Sequence, residues 1–310
     1  MTLSINQKWN AYLGMTKRNM LLFFKDKSTI FFSMLAPLIV LGLYILFLKN
    51  IYVDSILNNA EALNGLVNEK DIDVLANFWL LSGILGTSSI TVALNSLSIM
   101  VEDKAKKIDF DYNSTPLGGG IVTLAYFTGA FINTFLITTV ILSVGLVALS
   151  LMGTTYLSAV SVLSLYGVNA LGCASATIMM MIIVSFFKKP SALGAFSGIV
   201  SAVVGFIIGA YIPLGSFSTG VQSILSIVPG SHIACLYRNI LMSGVLENIN
   251  MSINGVDGGV FVSGLKELFA VNLNFASWNL AALVNILYVS ISSVIFLITT
   301  ILLYRLSNKR

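Results

Sequence analysis

Residues 79–152 read WLLSGILGTSSITVALNSLSIM (79–100), VEDKAKKIDFDYNSTPLGGG (101–120) and IVTLAYFTGAFINTFLITTVILSVGLVALSLM (121–152). The outer two runs carry no Asp, Glu, Lys or Arg. At 1.5 Å of rise per residue, a helix over either run crosses the roughly 30 Å of a bilayer's hydrocarbon. The middle run is dense in charge: Glu102, Asp103, Lys104, Lys106, Lys107, Asp109 and Asp111. Two apolar helices joined by a charged connection define a helical hairpin through a membrane.

The rest of the chain repeats the pattern. Further apolar runs cover 29–48, 158–187, 191–212 and 279–304, which with 79–100 and 121–152 make six expected spans. Of the 310 residues, 56% are hydrophobic and 10% charged. Soluble domains carry about 25% charged residues, so a globule this poor in charge could not cover its surface in water. The expected fold is an all-α membrane protein, a single transmembrane domain over 1–310. No cleavable signal peptide is expected, because the first apolar run begins only near Thr29 and no small-residue cleavage site follows it.

A seventh apolar stretch, about 221–245, is interrupted by Pro229-Gly230 and carries His232 and Arg238. A full span there would bury an arginine at high cost. This stretch is therefore expected to dip into the outer leaflet and return.

Charge placement orients the spans. Thirteen of the 17 Lys/Arg fall in four groups: Lys8, Lys17, Arg18, Lys25 and Lys27; Lys104, Lys106 and Lys107; Lys188 and Lys189; Arg305, Lys309 and Arg310. They alternate with segments holding only Lys49, Lys70, Arg238 and Lys266. Basic connections face the cytoplasm, so both termini are expected inside and the crossings are even in number. Residues 5–27 place Trp9, Tyr12, Leu13, Met20, Phe23 and Phe24 at helical spacing among basic residues, the pattern of an interfacial helix. Residues 49–78 read as a polar outer loop, and 213–278 as the largest outer region.

Few residues offer chemistry. Neither Cys173 nor Cys235 belongs to a CxxC or Cys/His cluster, so no disulfide framework, metal site or other resident cofactor is expected. All 13 Asp/Glu lie in connections or at span ends, against a proton relay or an intramembrane aspartyl protease. No GxxxxGK[ST] occurs, so any nucleotide must bind elsewhere. The net charge of +4 gathers at span ends and does not imply nucleic acid. The spans do hold uncharged polar residues. Thr87, Asn95, Ser98, Asn133 and Asn169 are candidate lining for a substrate path, against the plainer reading that they hydrogen-bond helix to helix.

The charged connection 101–117 is too long for a tight turn. It could hold a short helix that presents Ile108, Phe110 and Tyr112 among charges, a knob suited to a groove on a partner. The plainer reading is a solvated loop.

The run from Glu102-Asp103-Lys104 through Asp109-Phe110 to Ser114-Thr115-Pro116-Leu117 resembles the first cytoplasmic loop of ABC-2-type permeases, the membrane subunits of ATP-binding-cassette exporters. The run Gly205-Phe206, Gly209, Tyr211-Ile212-Pro213, then Val221-Gln222, Pro229 and Arg238, is similar to that family's fifth span end and outer re-entrant segment. Arg18 and Lys25-Asp26, ahead of a span with Pro37, resemble its N-terminal helix. One departure is that Lys106-Lys107-Ile108 stands where the loop often carries Gly-Thr.

The resemblance implies a bacterial inner-membrane permease. It implies pairing with a second copy or paralogue, two ATPase subunits that bind ATP and Mg, and contact with membrane lipids. It casts Glu102, Asp103, Lys104, Ile108, Phe110, Pro116 and Arg18 as ATPase-coupling residues. Tyr211, Pro213, Pro229 and Arg238 fall at an outer gate. The expected activity is outward movement of an amphipathic drug, antimicrobial peptide or similar compound by alternating access. A flippase for lipid-linked polysaccharide is the alternative within the family, with sodium extrusion a third role. An ATP-independent channel or carrier is the alternative outside it. The chain itself is not expected to be an enzyme.

Overall fold

A computed structural model describes residues 4–60, 65–152, 156–253, 256–275 and 278–307. Among them, six helices are long and apolar enough to cross a membrane: Leu35–Asn58, Glu69–Ala105, Gly119–Met152, Ala159–Ser185, Pro190–Ile207 and Ala282–Leu302.

The chain opens with α1 (Ile5–Lys25), closed at its start by a capping box between Ser4 and Gln7. Asp26 ends it and caps α2 (Lys27–Ser33) by accepting from Ser28 N at 3.0 Å and Thr29 N at 3.2 Å. α3 (Leu35–Leu43) continues through a π-helical turn, Tyr44–Leu48, into α4 (Lys49–Ala60). This corrects the expected span 29–48 and the expected loop from 49. Pro37 falls in the first turn of α3, where a missing N–H is tolerated, so the break lies at Met34 and the helix starts later. The polar segment 49–60 stays helical because Val53, Ile56 and Ala60 are buried against its neighbours.

The second span is the axis of the molecule. α5 (Glu69–Ser96) starts at Asn68, whose side chain accepts from Lys70 N, with Glu69 and Asp71 in the first turn favoured by the helix dipole. It passes through Leu97 into α6 (Ser98–Ala105). The 37 residues from Glu69 to Ala105 make a rod of about 55 Å, so the expected 79–100 is only its middle. One apolar cluster surrounds Phe78, Trp79 and Leu85 at one end of this rod. A second surrounds Leu94, Leu97 and Val101 at the other.

α7 (Ile108–Ser114), α8 (Gly119–Met152), α9 (Ala159–Ser185) and α10 (Pro190–Ile207) follow. α10 is shorter than the expected 191–212: the chain turns at Gly209, φ +71°, a left-handed conformation that suits glycine. The turn packs on α5, where a Cβ at Gly83 would lie 2.8 Å from the Ala210 methyl, so glycine is what permits the approach.

The region expected as 213–278 is more ordered than an outer loop. α11 (Thr219–Leu225) and α12 (Pro229–Ile253) meet at a 102° bend. Pro229 produces the bend, since it fixes its own φ and disfavours helix at the residue before it. α12 packs along α5 with most of its residues buried. α13 (Val260–Leu268) and an antiparallel hairpin of β1 (Leu273–Phe275) and β2 (Trp278–Leu280) lead into α14 (Ala282–Ser307). The hairpin trims the last expected span, 279–304, at its start.

Candidate functional site

The charged connection is built onto the end of the second span. α6 stops at Lys106, and Lys107 turns the chain in the left-handed region at φ 61°, uncommon for a residue with a side chain. α7 then runs as a short helix with Asp109 and Asp111 in its first turn, where the helix dipole favours acid. Tyr112 packs into the adjacent apolar cluster and Ile108 is half-buried. Burial pushes the Tyr112 phenol up from its ordinary range. Phe110 points the other way and is 65% exposed.

Three contacts hold this knob to the bundle. Arg18 of α1 donates from Nη2 to Asp103 Oδ1 at 2.7 Å and from Nη1 to Asp103 Oδ2 at 2.8 Å. Tyr126 of α8 donates to the same Oδ2 at 2.6 Å. Lys104 donates to Ser185 O at 2.8 Å, so an ammonium meets the carbonyl end of α9. The carboxylate hydrogen bonds strengthen the Arg18 proton's hold further. A groove of about 320 Å³ lies beside the pair, bordered by Arg18, Asp26, Ser98, Glu102 and Lys106.

The seven expected coupling residues therefore divide. Phe110 and Pro116 are exposed, and Glu102 is partly exposed and 3.3 Å from Lys106. Asp103 is buried and committed to Arg18 and Tyr126. Lys104 is committed to α9. Asp103 and Lys104 thus position the knob and are not free to touch a partner. Tyr126 escapes sequence reading, because nothing marks one tyrosine in an apolar run as the third donor to a carboxylate 23 residues earlier.

Four of the five candidate path residues, Thr87, Asn95, Asn133 and Asn169, make hydrogen bonds inside the single chain. Thr87 is buried and bonds back to Gly83 O in its own helix at 2.9 Å. Asn95 donates to Thr91 O at 2.8 Å and accepts from Ser197 Oγ of α10 at 3.0 Å. Asn133 donates to Ser96 Oγ at 2.8 Å, with its Oδ1 unpartnered. Asn169 donates to Thr139 at 3.0 Å and accepts from Tyr237 at 2.9 Å. Ser98 is half-buried and borders the groove.

The candidate gate residues lie on α12 and at the turn that follows α10. Arg238 is fully buried on α12, which departs from the expectation that such a residue would resist burial. Its Nη2 donates to Ile208 O at 2.7 Å and Gly209 O at 2.8 Å, and its Nε donates to Ser82 Oγ at 3.2 Å. The partial negative charge at the carbonyl end of α10 stands in for a carboxylate. Trp79 Nε1 donates to the same Gly209 O at 3.0 Å. Tyr211 packs edge-on to Phe206, Pro213 is buried just beyond the turn, and Pro229 starts α12.

In the first turn of α5, Asp71 is buried and accepts from Tyr156 at 2.6 Å and Asn248 at 2.9 Å. Among the described residues, no cluster of His, Cys, Asp and Glu could hold a metal ion.

This architecture defines the class: an all-α membrane protein with six candidate spans, the second of which is a central rod. No family model, curated protein or solved structure matches the chain.

Proposed function

We propose that this chain is the membrane permease subunit of an ATP-binding-cassette exporter of the ABC-2 type, driven by separate ATPase subunits. The observation that carries the reading is the knob at 98–117. It presents an exposed Phe110 between Asp109 and Asp111, while Asp103 and Lys104 tie its base to α1, α8 and α9. An apolar ring displayed on a braced helix is a shape that docks, and a brace across three helices is a shape that transmits force.

In this reading two ATPase subunits grip two permease chains, identical or paralogous, in a bacterial inner membrane. ATP and Mg bind only to the ATPases. Closure of the ATPase dimer pushes the knob, and α1 moves with it through Arg18. The push travels along the α5–α6 rod to the turn after α10, which Arg238 ties to α5 and α12. ATP supplies the differential affinity for inward- and outward-open states that any population shift requires. The cargo class is amphipathic, and lipid-linked substrates of a flippase belong to the same mechanism.

The cytoplasmic assignment of the knob rests on charge. Lys17 and Lys25 of α1, Lys104 to Lys107, and Lys188 beside Lys104 gather at one end of the bundle. That clustering supports basic residues, and both termini, on the inside. α1 then lies at the inner interface, and the bent α11–α12 pair enters from the outer leaflet. Affinity capture of the full chain from its native membrane tests the function. An ATPase with a P-loop should copurify and be stimulated by the permease; capture that never recovers one contradicts the reading.

A further inference from the structure

The single histidine of the chain is buried where its ring meets two acceptors and no donor. His232 lies in the first turns of α12 and is 1% exposed. Its Nδ1 is 2.6 Å from Asn285 Oδ1, and its Nε2 is 2.7 Å from Ser226 O. The Asn285 amide has little freedom to turn round. Its Nδ2 is 3.2 Å from both Leu280 O and Ala281 O, so reversing it would set oxygen against two carbonyl oxygens.

A neutral imidazole carries one N–H and one bare lone pair. Between two fixed oxygens it can satisfy only one contact, and the other would press lone pair against lone pair at under 3 Å. An imidazolium satisfies both. Tyr288 adds a third favourable element: its ring stacks on His232 with centroids 4.1 Å apart, and an aromatic face attracts a cation. Burial of the ring opposes the charge. The titratable groups around the site are Tyr288 on α14 and, on α12 itself, Cys235, 3.7 Å from Asn285 Nδ2, and Arg238, turned to α5 and α10. Among the described residues, no charged group interacts with the ring.

We propose that His232 is a proton-binding site whose proton closes a clasp between the α11–α12 elbow and the last helix. Ser226 belongs to the elbow and Asn285 to α14, so the protonated ring bridges the two elements. Tyr288, donating to Ile227 O at 2.6 Å, ties the same pair a second time. While the ring is protonated the clasp holds at full strength. As pH rises through the ring's midpoint, one of its two bonds is lost and the elbow loosens. The inference does not depend on the exporter reading.

Nitrogen NMR of the full chain in lipid bilayers, prepared without a histidine tag, reads the site directly because no other histidine contributes. Both ring nitrogens should carry protons on the acid side and one should lose its proton as pH rises. Amide hydrogen exchange over 226–231 should accelerate with the same midpoint. In Asn285→Asp, a carboxylate faces the ring, and the midpoint should rise by about 1–3 pH units. A ring that stays neutral wherever the protein is folded, a midpoint unmoved by Asn285→Asp, or exchange indifferent to the titration would each overturn the proposal.

Discussion

Arg18 and Asp103 form a two-pronged ion pair, 2.7 and 2.8 Å long, between the N-terminal helix and the end of the second span. The two ends of the pair differ. Asp103 is 1% exposed, whereas the Arg18 side chain is 32% exposed. Removing Arg18 strands a buried carboxylate with Tyr126 alone; removing Asp103 leaves a cation that water can reach.

Arg18→Ala should therefore destabilise more than Asp103→Ala. Stranding a buried charge costs about 3–5 kcal/mol. The double variant Arg18→Met with Asp103→Leu should recover much of the loss, giving a coupling energy of about 1–3 kcal/mol. Thermal unfolding of purified protein, read as a double-mutant cycle, measures it. Equal single losses that simply add would contradict the brace.

Arg238 should prove intolerant even of lysine. The guanidinium reaches Ser82, Ile208 and Gly209 together, and an ammonium cannot reproduce that fork. Arg238→Lys is expected to cost about 2 kcal/mol, and Arg238→Leu more, because it leaves Ile208 O without this donor and Gly209 O with Trp79 alone. Ser82→Ala, which removes one acceptor, should cost about 1 kcal/mol. Melting temperatures of the three variants rank them.

Asn95 and Ser197 tie α5 to α10, and Asn133 and Ser96 tie α8 to α5. Interhelical hydrogen bonds in membranes contribute about 0.6–1.7 kcal/mol. Ser197→Ala and Ser96→Ala should each lower stability by that amount while leaving substrate selectivity unchanged. If the proposed export is observed, a change in which compounds are carried, at unchanged stability, would instead make these residues path lining.

Asp257 gives an acid dependence. Its carboxylate accepts from Gly259 N at 2.9 Å and Phe261 N at 2.7 Å, which hold its pKa below the ordinary carboxylate value. A pKa depressed on folding gives stability that is present above the unfolded value, about 3.9, and lost as pH falls through the folded one. The start of α13 should open in acid, seen as faster hydrogen exchange at Gly259 and Phe261. Asp257→Asn should reproduce the opening at neutral pH.

Much of the fold is legible in hydropathy, and the misses have local causes. Each of the six apolar runs overlaps one of six long helices because a window of apolar residues long enough to cross lipid has few other uses. The bend at Pro229 is equally plain. The helix over 49–60 is not, because Lys49, Asn50, Asp54 and Asn58 break up its apolar residues, and only packing of Tyr52 on Trp79, centroids 5.0 Å apart, shows what they face. The burial of Arg238 runs against its hydropathy, since the group that tolerates it is the carbonyl end of a helix 30 residues away. At the knob, sequence separates charged from apolar residues, but it cannot tell Asp103, locked inside, from Glu102 one position earlier.

The proposed coupling role requires Phe110 to reach an ATPase. A photo-cross-linking amino acid in place of Phe110, activated in intact cells, tests this most directly. A covalent adduct to a P-loop ATPase is expected, lost when the cross-linker is moved to the exposed Ile291 of α14. An adduct only to lipid, or reaction of Phe110→Cys with a thiol reagent confined to the cell exterior, would contradict it.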